Sequence, residues 1–249
     1  MFKRGEAKVN TNLAHEDVVD NVVANIYALS TIAKETPQLK HDETLGYKIL
    51  KRIVDIIGAL FGIIMLVPIT IGIYIANLIF GDKGPIFYSQ NRIGKNGKIF
   101  KMYKFRSMVM GADEKLAEYL EENEDARKEY KINKKLKDDP RVTKIGKFIR
   151  KTSIDEFPQF VNVIKGDMSL VGPRPYLPRE IDDMGSAYPY ITAVKPGITG
   201  LWQISGRSEV TFKDRLDLDM EYFKKKSLLF ETKILFWTVK SVVYKKGAK

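Results

Sequence analysis

From Ile56 to Phe80 the chain runs for 25 residues without a formal charge. That is beyond the roughly 18 apolar residues that separate a membrane helix from a buried core helix. Pro68 stands at the middle of the run, where a missing backbone donor and a clash one turn back break or kink a helix. The pattern predicts two half-helices, Ile53–Val67 and Pro68–Phe80. Each would be about 20 Å long at 1.5 Å per residue, too short alone for the roughly 30 Å hydrocarbon core. The run begins too late, and lacks the small-residue cleavage site, to be a signal peptide.

Shorter patterns fill the rest. Val18, Val19, Val22, Val23, Ile26, Leu29 and Ala33 recur at helical spacing until Pro37, which predicts an amphipathic accessory helix in residues 1–46. The apolar-aromatic runs PIFYSQNRI and GKIFKMYKF flank Gly94-Lys95-Asn96-Gly97, a β-hairpin signal. Gly111–Lys137 reads as one polar helix, acidic early and basic late, as a helix macrodipole prefers. Val142, Ile145, Phe148 and Ile149, then Phe157, Phe160, Val161 and Ile164, predict two short amphipathic helices around Thr152-Ser153-Ile154-Asp155-Glu156. Ser153 would cap the second helix, with Glu156 completing a capping box. The Gly- and Pro-rich stretch Gly172–Gly206 reads as ordered loop, and Asp214–Lys226 and Phe230–Tyr244 as closing helices. The fold class is thus α+β and mainly helical, with a helix–break–helix at 47–82 and a domain at 83–249 carrying the hairpin and amphipathic surface helices.

Charge sharpens the picture. Residues 1–46 hold 5 Lys and Arg against 7 Asp and Glu, while the remainder holds 37 against 24, which places a boundary near Gly46. The apolar run is flanked by Lys48, Lys51 and Arg52 on one side and by Lys83, Arg92, Lys95, Lys98 and Lys101 on the other. Basic flanks prefer the cytoplasmic side, so two of them favour a segment that enters the membrane and returns. A single kinked spanning helix is the alternative. There is no Cys, and the two His, His15 and His41, lie in the extension. Disulfide, thiolate-zinc and thiol chemistry are excluded. Chemistry beyond Tyr47 falls to carboxylates, Lys, Arg, Tyr or Ser, with a hard oxygen-loving metal ion as the natural helper.

A basic domain at a membrane face suits phosphate recognition, which Arg performs through its planar fork. Arg106, Arg150, Arg174 and Arg207 stand in loops or at helix ends, Arg174 between two prolines in Gly172-Pro173-Arg174-Pro175. For each Arg taken singly, a plain surface role is the alternative. No P-loop or dinucleotide-binding motif occurs. Asp155-Glu156 is the carboxylate pair of interest, at a predicted helix start that favours anions. A carboxylate can attack phosphorus, and two of them facing a diphosphate imply Mg²⁺ or an equivalent divalent cation. A simple helix cap is the alternative.

The segments KRIVDIIGALFGIIMLVP, GPIFYSQNRIGKNGKIFKMYKFRSM, DDPRVTKIGKFIRKTSIDEFPQFVNVIKGDMSLVGPRP and VKPGITGLWQISGR together resemble the bacterial monotopic phosphoglycosyl transferases. These are polyprenyl-phosphate sugar-1-phosphate transferases that start capsule, exopolysaccharide and glycoconjugate assembly. The likeness runs from about Tyr47 to Val243. It implies a re-entrant membrane helix broken at Pro68 and a catalytic domain on the cytoplasmic face of the cell membrane. It also implies a ping-pong transfer from a UDP-sugar to undecaprenyl phosphate, releasing UMP, through a phosphosugar carried on an enzyme carboxylate. By position Asp155 would be nucleophile and Mg²⁺ ligand, and Glu156 its partner. Lys104 and Arg150 would hold phosphates, and Arg174 and Arg207 would contact donor phosphates or nucleoside. Two departures stand out: Val67 where some members have Ser before the breaking proline, and Glu231 where an Asp is usual. The extension lies outside the resemblance, and a minimal form without a large multi-helix membrane domain is expected.

A different class remains to be weighed: a basic, membrane-anchored protein gripping anionic lipid or nucleic acid without turnover. Such a protein needs no fixed Asp155-Glu156 pair, and its affinity would simply fall with salt. The resemblance instead implies membrane lipid, UDP-sugar and undecaprenyl phosphate as partners, and no nucleic acid. Galactose or glucose 1-phosphate is the expected cargo. The Val18–Ala33 stripe leaves open whether the chain forms a homo-oligomer or packs that helix on itself.

Overall fold

The computed structural model describes residues 43–206 and 210–243. The accessory helix expected at Val18–Ala33, and Arg207, lie outside the described residues. The first described element is a 35-residue helix, α1 (Leu45–Ile79), started by Thr44, whose hydroxyl accepts the Tyr47 N–H at 3.2 Å. The two half-helices expected around Pro68 are here one helix, and the secondary structure runs through the proline without a gap. A proline ring is compatible with helical φ and removes a single backbone donor. Two residues on, the Thr70 hydroxyl donates to the Leu66 carbonyl at 2.7 Å, a back-bond of the kind that bends helices without ending them.

Among the described residues, only one face of α1 packs on the rest of the fold. Gly58 and Gly62 let Leu170 and Phe160 approach so closely that an added Cβ would lie 2.6 Å and 2.2 Å from their side chains. Ala59 is fully buried against Met102, Val163 and Met168, and Ile73 packs with Phe105, Ile145 and Ile149. Farther up the helix, Arg52 donates to the Val163 and Ile164 carbonyls at the end of a short helix. The opposite face is apolar and exposed, including Ile57, Phe61, Ile64, Val67, Ile71 and Leu78.

The hairpin forms as predicted: β1 (Phe87–Ile93) pairs antiparallel with β2 (Ile99–Phe105), Tyr88 opposite Lys104. Asn96 and Gly97 make the turn at φ of 58° and 72°, the region where Asn and Gly are tolerated. The expected single polar helix is two, α2 (Ala112–Glu122) and α3 (Glu124–Asn133). Asn123 separates them: its backbone is extended and its side chain accepts the Ala126 N–H, capping α3 at 3.0 Å. Then follow α4 (Lys144–Lys151), a 3-10 turn (Ile154–Glu156) and α5 (Gln159–Lys165).

Gly172–Gly206 contains more regular structure than a loop. β3 (Ser169–Val171) pairs in parallel with β4 (Gly197–Thr199), and α6 (Ile181–Met184), α7 (Tyr188–Thr192) and α8 (Leu201–Ile204) lie on either side of β4 along the chain. Gly172 and Gly197 pass backbone to backbone, so that a Cβ on Gly197 would sit 2.1 Å from the Gly172 nitrogen. The closing helices are α9 (Phe212–Lys225) and α10 (Leu228–Val243).

A buried polar network ties α10 to the start of α1. Glu231 accepts from Tyr222 at 2.5 Å and Tyr47 at 3.0 Å, and pairs with Lys51 at 3.0 Å. Lys51 also faces Asp55, whose carboxylate accepts from Ser169 Oγ and the Leu170 N–H. Charges this deep persist only when paired and hydrogen-bonded, and here every one is.

Candidate active site

The chain leaves α4 by a reversal at Ser153, whose φ of 58° places a non-glycine residue in the left-handed region. Such strain persists where the surroundings over-determine it, often at functional sites. The expected capping box is not formed: Ser153 makes no side-chain cap and precedes the 3-10 turn rather than α5, whose N-cap is Pro158. The turn is instead held by Glu156 N–H to the Ser153 carbonyl and Phe157 N–H to the Ile154 carbonyl.

This reversal fixes Asp155 and Glu156. Their neighbours Ile154 and Phe157 join the apolar cluster of Ile73, Phe105, Ile145 and Ile149, which also takes in Leu66 and Ile69 of α1. The carboxylate pair is therefore pinned beside the turns of α1 that flank Pro68. Asp155 is 8% exposed. Lys104 reaches in from the end of β2, its Nζ 3.6 Å from Asp155 Oδ2 and 3.3 Å from Glu156 Oε1. Burial pushes the Glu156 carboxyl above its ordinary range, the Lys104 ammonium pulls it back, and the Asp155 charge pushes it up again. One ammonium between two carboxylates keeps the pair together at a tolerable electrostatic cost.

The expected arginines fall into different settings. Arg150 donates from Nε to Ser107 Oγ at 2.9 Å and feels the Asp155 charge. Arg174 also acts on Glu156, lowering its pKa. Its backbone N–H donates to Asp219 Oδ2 at 3.1 Å, and its guanidinium stands over Tyr176 and Trp202. Arg106, by contrast, is turned to the loop after α1: it donates to the Pro85 and Met108 carbonyls and pairs with Asp82 at 2.7 Å. The structure thus sets Lys104 against the dyad, leaves Arg150 and Arg174 near enough for their charges to be felt there, and commits Arg106 to a loop clamp. Three cations not proposed as site residues from sequence, Arg92, Lys135 and Arg215, lie near Arg174. Arg92 sits in a strand and Lys135 in a lysine run, neither of which marks a site; Arg215 follows the aromatic Phe212 on a helix, a weak signal.

Among the described residues no group of three or more metal-ligating side chains gathers. Asp155 and Glu156 still offer adjacent hard oxygen donors, a set that suits Mg²⁺, which takes one or two carboxylates and leaves its other positions to water and substrate phosphates.

A model of the bacterial sugar transferase family matches residues 46–245. This chain belongs to that family. It is 48% identical over 205 residues to the galactosyl transferase CpsE of Streptococcus agalactiae, covering 82% of this chain and 44% of that protein. It is 45% identical over 201 residues to the undecaprenyl-phosphate galactose phosphotransferase of Salmonella typhimurium, covering 81% and 42%. The exopolysaccharide production protein ExoY of Sinorhizobium fredii is 42% identical over 200 residues, covering 80% of this chain and 88% of ExoY. The chain therefore spans less than half the length of the first two sugar transferases and most of the third.

Proposed function

We propose that this chain moves a sugar 1-phosphate from a UDP-sugar to undecaprenyl phosphate, with Asp155 as the covalent carrier. The observation that carries the reading is the pair of buried Asp155 and half-buried Glu156, bridged by Lys104 and pinned beside the proline region of the long apolar helix. A water-soluble donor and a lipid acceptor must both reach one phosphorus, and a carboxylate at that border serves both. The printed names of several relatives, a galactose phosphotransferase and a UDP-glucose:undecaprenyl-phosphate glucose-1-phosphate transferase, support the substrate class. Galactose or glucose is accordingly the cargo proposed.

In the first half-reaction an Asp155 oxygen attacks the β-phosphorus of the UDP-sugar. The bond from that phosphorus to the bridging oxygen breaks, and UMP leaves with the electron pair. In the second, a phosphate oxygen of undecaprenyl phosphate attacks the same phosphorus, and the Asp155 carboxylate is released. Lys104 stands 3.6 Å from Asp155 Oδ2 and places positive charge where diphosphate oxygens gather. Glu156 anchors Lys104 through Oε1 and, with its raised pKa, is suited to hold a proton on its other carboxyl oxygen. Arg150 and Arg174 supply further charge toward the phosphates. Mg²⁺ held by Asp155 would neutralise diphosphate charge when bound.

We read the chain as attached to the cytoplasmic face of the cell membrane through α1 without crossing it. The packed stripe from Tyr47 to Ile73 is about 39 Å long at 1.5 Å per residue, longer than the hydrocarbon core of roughly 30 Å. A spanning α1 would drag this polar, basic domain into lipid alongside it. A helix bent at Pro68 and sunk into one leaflet keeps its exposed apolar face in lipid and its packed face on the domain.

The test is a quenched reaction of the chain with UDP-galactose or UDP-glucose in the absence of acceptor lipid. Peptide mass spectrometry should find a hexose phosphate on Asp155, and UMP release should stop near one equivalent. Full turnover by Asp155→Asn would refute the assignment.

A further inference from the structure

Beyond the end of β2 the chain crosses the first turn of α4. The Ser107 carbonyl accepts the Thr143 N–H at 3.1 Å, Met108 bridges antiparallel to Val142, and the Val109 N–H donates to the Arg141 carbonyl at 2.9 Å. Thr143 in turn caps α4, its hydroxyl accepting the Gly146 N–H at 2.9 Å. Gly146 is the notch that lets the two segments meet: a Cβ there would lie 1.9 Å from the Ser107 carbonyl oxygen. Arg150 follows one turn later, and helical side chains four apart share a face and lean toward the N-terminus. The contact that seats the Ser107 backbone on Gly146 therefore brings the Ser107 hydroxyl to Arg150, whose Nε donates to Oγ at 2.9 Å.

Ser107 is 8% exposed, whereas Arg150 lies open to solvent, so a buried hydroxyl grips the guanidinium of an exposed residue. Nε is the one guanidinium nitrogen of Arg150 bonded within the described residues, and Nη1 and Nη2 stay open. An arginine presents five donors in a rigid plane. With the Nε–H spent on Ser107, the plane is fixed, and the paired approach left to an anion is end-on, through Nη1 and Nη2. The carboxylates whose charge Arg150 feels are Asp155 and Asp139. Both Asp139 oxygens are already taken by Arg141, Oδ1 by Nε at 2.8 Å and Oδ2 by Nη2 at 2.7 Å, so Asp139 is satisfied without Arg150. The Arg150 carbonyl also accepts the Ser153 N–H at 3.1 Å, at the reversal that sets Asp155. Arg150 is thus held at two points, by Ser107 through its side chain and by the turn of the dyad through its backbone.

We propose that Ser107 is a positioning residue of the transfer reaction: its hydroxyl fixes the plane of the Arg150 guanidinium so that both Nη groups meet two oxygens of the transferring phosphoryl group. This rests on the reading under Proposed function, in which Arg150 supplies charge toward the phosphates, and adds the reason that charge arrives in one orientation. Ser107 touches no substrate and acts through Arg150. An unanchored arginine loses rotamer freedom each time it takes up a bidentate pose, and the Ser107 bond removes part of that loss before the donor arrives. What the reaction needs from position 107 is an acceptor oxygen, which Ser supplies and Ala lacks.

The experiment is a double-mutant cycle on the full chain in lipid nanodiscs, reading the initial rate of UMP release from UDP-galactose or UDP-glucose with undecaprenyl phosphate. Ser107→Ala should lower kcat/KM about tenfold, the size of one hydrogen bond to a charged group. In an Arg150→Met background, assayed at raised enzyme concentration, Ser107→Ala should change the rate by less than about twofold, because the group it positions is gone. The unfolding temperature of Ser107→Ala should stay within about 2 °C of the unaltered chain, since the exposed Arg150 finds water in place of the hydroxyl. An equal loss in the two backgrounds would mean that Ser107 supports the fold or meets substrate itself, and would overturn the positioning role. So would an unaltered kcat/KM in Ser107→Ala. If the two positions are coupled but the quenched adduct lies on a residue other than Asp155, the carrier assignment fails and the positioning role stands. An adduct on Asp155 without coupling is the reverse result. A chain that releases UMP from no UDP-sugar removes the transfer reading and the positioning role with it.

Discussion

Replacing Lys104 with Met removes the one ammonium that stands between Asp155 and Glu156, at 3.6 Å and 3.3 Å, and keeps the apolar stem. An opposite charge at such a distance lowers a carboxyl pKa by about 1–3 units. Burial already drives Glu156 upward, and Lys104 is the largest opposing influence. Without it the pair must share a buried site as like charges, and at least one of the two stays protonated to higher pH. At 1.36 kcal/mol per unit, the change amounts to roughly 1.4–4 kcal/mol against the ionised dyad. The assay is UMP release from UDP-galactose with undecaprenyl phosphate between about pH 5.5 and 9. The acid limb of the Lys104→Met profile should move up by about 1–3 units, with kcat depressed most at low pH, and Lys104→Arg should restore much of it. An acid limb that stays in place while the rate falls uniformly would refute the electrostatic account and leave Lys104 a binding residue only.

Other changes test the surroundings. Gly146→Ala would place a Cβ 1.9 Å from the Ser107 carbonyl oxygen. Backbone cannot step aside cheaply, so the loss should be about 3 kcal/mol or more, read as a fall of at least several degrees in Tm. Glu231→Leu takes the nearer of two carboxylates from Lys51 and the acceptor from the Tyr47 hydroxyl and should cost about 3 kcal/mol, while Glu231→Asp should cost far less; thermal unfolding in nanodiscs separates them. Burial raises Asp219 from its ordinary 3.8 to about 7, so the folded chain binds the extra proton between those pH values. Stability should therefore fall as pH rises from about 4 to about 7, by roughly 4 kcal/mol, and level off above. Asp219→Asn should flatten that slope in urea titrations at stepped pH.

Elements whose signal is local were legible in the sequence. The hairpin announces itself through Asn96-Gly97 between apolar runs, the membrane segment through its uncharged length, and the closing helices through their periodicity. β3 and β4 were not, because each has three residues and owes its pairing to Gly172 and Gly197 passing closely, a long-range fact. The break at Pro68 was over-read: proline removes one donor, and packing along both sides of it holds the helix together. Ser153 misled for a similar reason, since a capping pattern says nothing of a left-handed backbone. In the site, Asp155 and Glu156 could be singled out from the residues alone, whereas Lys104 came through the resemblance, being one lysine among many in a strand. Arg106 matches its fellow arginines in sequence and differs from them only in having Asp82 opposite.

The glycines at 58 and 62 carry a practical consequence. Because Phe160 and Leu170 nest directly on them, α1 is one wall of the protein's interior and no detachable tether. Cutting the chain after Phe80 to obtain a water-soluble fragment would lay bare Met102, Val163, Met168 and Phe105 together, and an unrelated hydrophobic leader grafted in its place would lack the notches that receive Phe160 and Leu170. Solubility and catalysis cannot be engineered apart in this architecture.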